Sequence, residues 1–268
     1  MMIAGIDIGS GTTKCVLVDG DGQLRGRGEV RTRANFELVA RMALDAAREN
    51  AGSGGEDVAY MATTGLGRYA VPARDIQITD LTCGARGAAS LFPGTRYVLD
   101  IGAQCSRAIK LREGGKVKEF HMNEKCAAGS GGFLERAPKY LEVDVADIGT
   151  LSLSADKPQP ISSVCAVLAE SEIINHVSDG ATVENILRGI HDSLADRALS
   201  LLKRVGLDSE GVVTFIGGVA RQAGMVAVLR EKLGVTVNVS DAPQFTTALG
   251  AALLGRQRWH KLSMPVAA

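Results

Sequence analysis

Asp7-Ile8-Gly9-Ser10-Gly11-Thr12-Thr13-Lys14 follows the apolar residues 3–8 and runs into a second apolar segment, Lys14 to Asp19. A carboxylate at a strand end beside small and hydroxylated residues is chemistry suited to a phosphate. Glycines let the backbone come close, N–H and O–H groups donate, and the carboxylate positions a hydrated Mg²⁺. The bland alternative is a tight hairpin built from small residues. The segment is not a Walker A loop, because the Gly-Lys-Ser/Thr ending is missing, and it is not a Rossmann fingerprint. Its recurrence favours the phosphate reading. Tyr97-Val98-Leu99-Asp100 is again an apolar strand ending in Asp, followed by Ile101-Gly102-Ala103-Gln104 and a second strand, Ser106–Leu111. The unit of strand, Asp-Ile-Gly, turn and strand thus occurs twice, which predicts two related α/β lobes with a ligand cleft between them.

Outward from these motifs, Gly20-Asp21-Gly22 signals a hairpin turn before a third strand at about Leu24–Arg33. Phe36, Val39, Ala40, Ala43 and Ala46 recur at helical spacing through residues 36–49. A strand at Val58–Thr63 and a helix at Leu81–Leu91 precede the second unit, whose third strand is Lys116–His121. Helices are expected over about 132–141, 165–178 and 182–205, and Ser152–Ser163, with Pro158 and Pro160, as a loop. Val212–Ile216 then meets Gly217-Gly218, a strand-to-helix junction where a flat adenosine group can lie against bare backbone. A close strand–helix turn explains the same glycines equally well. A strand at 235–239 and a helix from Thr246 to about Arg258 finish the chain. The expected boundaries are 1–95 for the first lobe, 96–250 for the second and 251–268 for a C-terminal helix and tail.

The 268 residues are 46% hydrophobic and 22% charged, with Lys+Arg and Asp+Glu both 30. Such a chain can bury a large core or two smaller ones. Zero net charge gives no support to a nucleic-acid or anionic-membrane partner, and 4% aromatic residues offer no stacking platform. No apolar run reaches transmembrane length, and Met1-Met2-Ile3-Ala4 has neither a basic region nor a cleavage site, so a cytoplasmic location is expected.

Five cysteines (15, 83, 105, 126 and 165) are an odd number, so a disulfide framework is not expected in that compartment. Cys15 and Cys83 read as packing residues, Cys105 as lining the ligand cleft without binding metal, and the four histidines show no metal-ligand spacing. Cys126 and Cys165 differ. Cys126-Ala-Ala-Gly-Ser-Gly-Gly-Phe133 opens a helix directly after a cysteine, and Ser163-Val-Cys165-Ala-Val-Leu-Ala-Glu170 begins an apolar, helix-periodic run. A thiolate at the electropositive end of a helix is stabilised there. Two thiolates do not complete a four-coordinate iron–sulfur or zinc site. If both bind metal, the other ligands come from elsewhere, most simply from a second chain.

The two Asp-Ile-Gly loops and the Gly217-Gly218 turn, in this order, resemble the superfamily of actin, heat-shock chaperone ATPases and sugar kinases. Three further segments narrow the match: Ile78-Thr-Asp-Leu-Thr-Cys83-Gly-Ala-Arg-Gly-Ala88, Asn123-Glu-Lys-Cys126-Ala-Ala-Gly129 and Cys165-Ala-Val-Leu-Ala-Glu170-Ser-Glu172. They resemble the family of 2-hydroxyacyl-CoA dehydratase activators and benzoyl-CoA reductase ATPases, over about Ile3 to Leu254, and most closely the D/G-type ATPase of the reductase. The resemblance implies a two-lobe actin/sugar-kinase-like ATPase fold of duplicated ribonuclease-H-like domains. It implies ATP and Mg²⁺ held by Asp7, Gly9, Ser10, Gly11, Thr12, Thr13, Lys14 and Gly102, with Asp100 and Gln104 completing hydrolysis and Gly217 and Gly218 accepting adenosine. It further implies a [4Fe-4S] cluster shared with a partner subunit, Cys126 and Cys165 being this chain's ligands. The implied function is ATP-driven, low-potential electron transfer from ferredoxin to catalytic reductase subunits, alongside a related A/F-type ATPase chain.

The chain departs from the family pattern at the second loop. Cys105 stands where many members carry an acidic residue, Ala103 replaces a second glycine, and Gly84 replaces a histidine. These departures suit one member of an unequal pair. The rival readings are a homodimeric activator of a 2-hydroxyacyl-CoA dehydratase, a small-metabolite kinase of the superfamily, and a purely structural nucleotide-binding partner. A kinase usually needs a catalytic acid beside its substrate, and no convincing one is visible.

Overall fold

The computed structural model describes residues 1–52, 57–123, 130–162 and 166–263. In chain order the first elements are β1 (Met2–Ile8), β2 (Thr12–Asp19), β3 (Leu24–Arg31), α1 (Phe36–Asn50), β4 (Val58–Gly65), β5 (Ile76–Gln77) and α2 (Asp80–Leu91). The second set begins with β6 (Tyr97–Ile101), β7 (Ser106–Arg112), β8 (Lys116–Asn123), α3 (Gly131–Arg136), α4 (Pro138–Leu141) and α5 (Ile148–Leu151). It continues with α6 (Ala166–Ser178), α7 (Val183–Arg204), β9 (Val212–Ile216), α8 (Ala223–Leu233), β10 (Thr236–Asn238) and α9 (Thr246–Ser263). These form two compact units. One comprises Met1–Pro93, Arg112–Val117 and Gln244–Ala268, and the other Gly94–Leu111 and Lys118–Pro243.

The first unit holds a sheet of order β3-β2-β1-β4-β5, covered on both faces. Successive strand side chains point to opposite faces, so a doubly covered strand reads as a continuous apolar run. Met2, Ala4, Ile6 and Ile8 face one cluster with Ala40, Ala43, Leu44 and Ala47 of α1. Ile3 packs on the other side with Ala248 and Ala252 of α9. Cys15 belongs to the α1 side, fully buried, and burial pushes its thiol well above the usual range, as its packing role requires. α1 starts where the Asn35 side chain accepts from Leu38 N at 2.9 Å. α9, which the sequence sets apart as a terminal segment, lies in this unit and packs on α2 and β1. Gly250 lets α2 and α9 meet backbone to backbone, since a Cβ there would fall on the Cys83 carbonyl oxygen.

The second unit repeats the plan with order β10-β9-β6-β7-β8. Read from the hairpin side, both sheets place two later strands outside the first and a parallel crossover strand on its other flank. Tyr97, Leu99, Ile101 and Phe215 lie in one core with Ile186, Ile190 and Leu194 of α7 and Met225 and Val228 of α8. The expected helix at 132–141 is divided between α3 and α4, because Pro138 has no N–H to carry the ladder onward. α5 and a 3₁₀ turn at Ser152–Ser154 stand where the sequence shows no helix and a loop, respectively. Their brevity leaves no periodicity to read. Among the described residues no helix is long and apolar enough to cross a membrane.

Candidate functional site

The first loop is fixed from three directions. β1 pairs with β2 on one side, setting Asp7 opposite Lys14 and Ile8 opposite Thr13. On the other side it pairs in parallel with β4, setting Asp7 opposite Thr64 and Ile8 opposite Gly65. Beneath the turn, the Thr32 hydroxyl donates to Gly9 O at 2.8 Å and Thr32 N donates to Gly11 O at 3.0 Å. Thr13 is buried with its hydroxyl 2.8 Å from that of Thr32, and the Thr12 hydroxyl donates to Glu29 at 2.9 Å. Those two threonines therefore brace the loop. Gly9, Ser10, Gly11 and Thr12 are all half-buried, and Thr13 alone of the turn's residues is buried. Lys14 Nζ donates to Thr12 O at 3.2 Å.

The second loop is built alike. Gly102 N donates to Cys105 O at 2.9 Å, closing a turn on which Gln104 is exposed and Cys105 half-buried. Asp100 lies opposite Arg107 in the β6–β7 register, and their side chains form an ion pair at 3.0 Å. Two backbone N–H groups at the start of α3 hold this turn: Gly131 to Gly102 O at 2.8 Å and Gly132 to Ala103 O at 2.7 Å. The Ser130 hydroxyl adds a third bond, to Ala103 O at 3.0 Å. Ser130, Gly131 and Gly132 thus dock directly on the second loop. The sequence reading missed this bond set, because backbone-to-backbone docking leaves only small residues as its trace.

A deeper equivalence joins the two units. Gly65 has φ +83°, and a Cβ there would stand 2.5 Å from Asp7 Oδ1 and 2.6 Å from Ile8 O. Gly217 has φ +91°, and a Cβ there would stand 2.6 Å from both Asp100 Oδ1 and Ile101 O. Each carboxylate is cradled by a left-handed glycine at the end of the crossover strand. A hard carboxylate oxygen beside a glycine, where no Cβ crowds it, fits a hydrated Mg²⁺ or a phosphate bound through it. Gly65 was not singled out from sequence, although Thr64-Gly65-Leu66-Gly67 has the same strand-then-glycine pattern as Ile216-Gly217-Gly218.

A family model, the BadF/BadG/BcrA/BcrD ATPase family, matches residues 4–255. The chain belongs to that family. This BadF/BadG/BcrA/BcrD ATPase is 44% identical over 271 residues to the D-type polypeptide of benzoyl-CoA reductase from Thauera aromatica, covering 97% of this chain and 95% of that protein. It is 39% identical over 253 residues to the 2-hydroxyisocaproyl-CoA dehydratase activator of Clostridioides difficile, covering 94% of both. The solved activator of the 2-hydroxyisocaproyl-CoA dehydratase from Clostridium difficile with bound ADPNP superposes at TM-score 0.91, with 36% identity and all of both chains covered. A ROK-family glucokinase from Streptomyces griseus, at 16% identity and TM-score 0.59 over 96% of this chain and 100% of that one, shares the fold alone. The expected two-lobe actin/sugar-kinase-like ATPase fold is therefore the fold of this family member.

Cys126 and Cys165 lie outside the described residues. Among the described residues no three His, Cys, Asp or Glu side chains gather as a metal site. Cys83 is buried, and desolvation chiefly pushes its thiol to about 12, so it is an inert packing residue. Glu170, five residues after Cys165, lies on α6. It pairs with Arg136 Nε of α3 at 2.9 Å and accepts from Tyr140 OH of α4 at 3.1 Å. That pair of contacts ties α6 to α3 and α4. Glu172 accepts from Ser162 N just before the second cysteine segment.

Proposed function

We propose that this ATPase is the nucleotide-driven electron-activation component of an ATP-dependent benzoyl-CoA reductase. The duplicated carboxylate cradle carries the nucleotide part of this reading. In it, Asp7 and Asp100 would each offer a carboxylate oxygen to a hydrated Mg²⁺, and Ser10 with the Gly9–Gly11 backbone and Lys14 would direct donors and positive charge at phosphate oxygens. Gln104, exposed on the second turn, orients the attacking water, and adenosine lies along Gly217 and Gly218. Cys126 and Cys165 would be this chain's ligands to a [4Fe-4S] cluster completed by a related A/F-type ATPase chain, and such a cluster would supply a one-electron carrier between ferredoxin and the catalytic subunits. Support for the cluster comes from the cysteine motifs and the family. Support for the reductase comes from 44% identity to the D-type reductase polypeptide, together with Cys105, Ala103 and Gly84.

A second reading, a homodimeric activator of a 2-hydroxyacyl-CoA dehydratase, is favoured by the end-to-end match to such an activator at TM-score 0.91. Iron and acid-labile sulfide content, with an EPR spectrum after reduction, separate the two. The chain is purified anaerobically, alone and co-expressed with a sister ATPase chain. A [4Fe-4S] signal from the co-expressed pair only is expected for the reductase component, and a signal from the chain alone assigns it as the activator. Absence of iron in both refutes electron transfer. In the iron-bearing preparation, Cys126→Ser is expected to lose the cluster and keep ATP binding, and full iron content in that variant removes Cys126 as a ligand.

A further inference from the structure

We propose that Arg107 is the positioning residue for Asp100, holding its carboxylate in a single orientation for ATP hydrolysis. The inference rests on the reading that Asp100 acts in that reaction and adds a residue to it. Arg107 Nη1 donates to Asp100 Oδ2 at 3.0 Å, and the two side chains are only 16% and 11% exposed. At that burial a charge-assisted hydrogen bond is little weakened by solvent, unlike an exposed pair. The two residues stand directly opposite each other across the β6–β7 hairpin, so backbone register fixes where the guanidinium starts from. The two carboxylate oxygens then have separate duties. Oδ2 is anchored by Arg107, while Oδ1 is turned toward Gly217, where a Cβ would stand 2.6 Å from it. With one oxygen anchored, the χ2 rotation that would exchange Oδ1 and Oδ2 costs a charged hydrogen bond. The cradle therefore always receives the same oxygen.

The duplicated architecture supports this assignment. Lys14 stands opposite Asp7 in the β1–β2 register, as Arg107 stands opposite Asp100. Both hairpins place a cation at the register position opposite the loop carboxylate, one strand residue-pair back from the turn, although Lys14 Nζ itself donates to Thr12 O and only Arg107 is paired with its aspartate. A guanidinium, planar and permanently charged, fixes a carboxylate plane better than an ammonium can. Arg107 touches no reacting atom in this scheme. It acts through Asp100.

The test uses the full-length chain, purified anaerobically, with ATP hydrolysis followed by phosphate release across ATP and Mg²⁺ titrations. Arg107→Gln is expected to lower kcat roughly tenfold or more, the usual cost of losing a residue that orients a functional ligand. KM for ATP should stay within about twofold, and the Mg²⁺ midpoint should rise. Arg107→Lys should recover part of kcat, which a packing defect would not. In an Asp100→Asn background, Arg107→Gln should cause no further loss, because the group it positions is no longer a carboxylate. Wild-type kcat in Arg107→Gln, beside an inactive Asp100→Asn, overturns the role of Arg107 alone. So does a full additional loss in the double variant. Wild-type hydrolysis by Asp100→Asn overturns both this inference and the assignment of Asp100. Thermal midpoints of all variants identify any that are simply unfolded, and Arg107→Lys then decides.

Discussion

Alanine at Gly217 or at Gly65 is expected to cost about 3 kcal/mol of stability and to reduce ATP hydrolysis by at least ~100-fold. The first contribution is conformational. At φ +91° and +83° an L side chain pays about 1–2 kcal/mol that glycine does not. The second is steric. The new Cβ would press on Asp100 Oδ1 and Ile101 O, or on Asp7 Oδ1 and Ile8 O, all at 2.5–2.6 Å. Those carbonyls belong to the central strand of each sheet and cannot withdraw without loosening its pairing, so overpacking adds about 1–3 kcal/mol. The carboxylate is the softer partner and gives way first. A displacement on the order of 1 Å is enough to cost about a hundredfold in rate. Gly218→Ala is the control, because a Cβ there meets nothing within 4 Å. It should unfold with the wild type, whereas the other two should melt roughly 6–12 °C lower. Equal midpoints for Gly217→Ala and Gly218→Ala would show that the cradle does not exist as described.

The duplication explains both what was legible in the sequence and what was not. Asp7-Ile8-Gly9 and Asp100-Ile101-Gly102 are contiguous, so their loops can be read directly, and the flanking strands announce themselves as apolar runs because both sheet faces are covered. Gly65 reaches Asp7 only through parallel pairing of β1 with β4, across more than fifty residues of chain. Nothing local to Thr64-Gly65 records that pairing. Arg107 could have been found by sliding one hairpin on the other, since it sits at the same offset from Asp100 as Lys14 from Asp7. α9 illustrates the same limit at larger scale. Its sequence shows a helix, but its place among the first unit's elements is set by contacts with residues near the start of the chain.

The Ser130–Gly132 docking bears on the proposed coupling. Three hydrogen bonds join the first residues of α3 to Gly102 and Ala103, and the Cys126 motif immediately precedes them in the chain. Any shift of the second Asp-Ile-Gly loop must either break those bonds or carry the start of α3 with it. Breaking them would strand three polar donors, at about 1–3 kcal/mol each where buried. Movement of the loop and of α3 as one body is the less costly outcome. The glycines at 131 and 132 serve this contact, since a Cβ at Gly132 would stand 2.8 Å from Ala103 O.

Acid is expected to destabilise the second unit through one residue, His191. Its ring is fully buried on α7, with Nδ1 2.9 Å from the Ser152 hydroxyl oxygen. That hydroxyl gives its own proton to Gly149 O at 3.0 Å, so it accepts from the ring, and the neutral tautomer carries its proton on Nδ1. Nε2 is buried with no hydrogen-bond partner among the described residues. Protonating it would create a cation whose second N–H has no acceptor. Burial first, and then the charge of Arg188 one turn away, push the His191 pKa from 6.5 down to about 4. Because the folded value is the lower one, the unfolded chain binds the extra proton between those two pH values, and stability rises with pH across that interval. The contribution is complete above about pH 6.5, declines as pH falls, and is gone below about pH 4. Its full size is about 3 kcal/mol, from the displacement of the pKa. Urea unfolding of the wild type and of His191→Gln, measured from pH 4 to 7.5, tests this. The wild-type free energy should climb across the interval, and the variant, neutral throughout, should lose about that much of the slope. Parallel curves would place the acid sensitivity on other groups and leave the buried ring as packing alone.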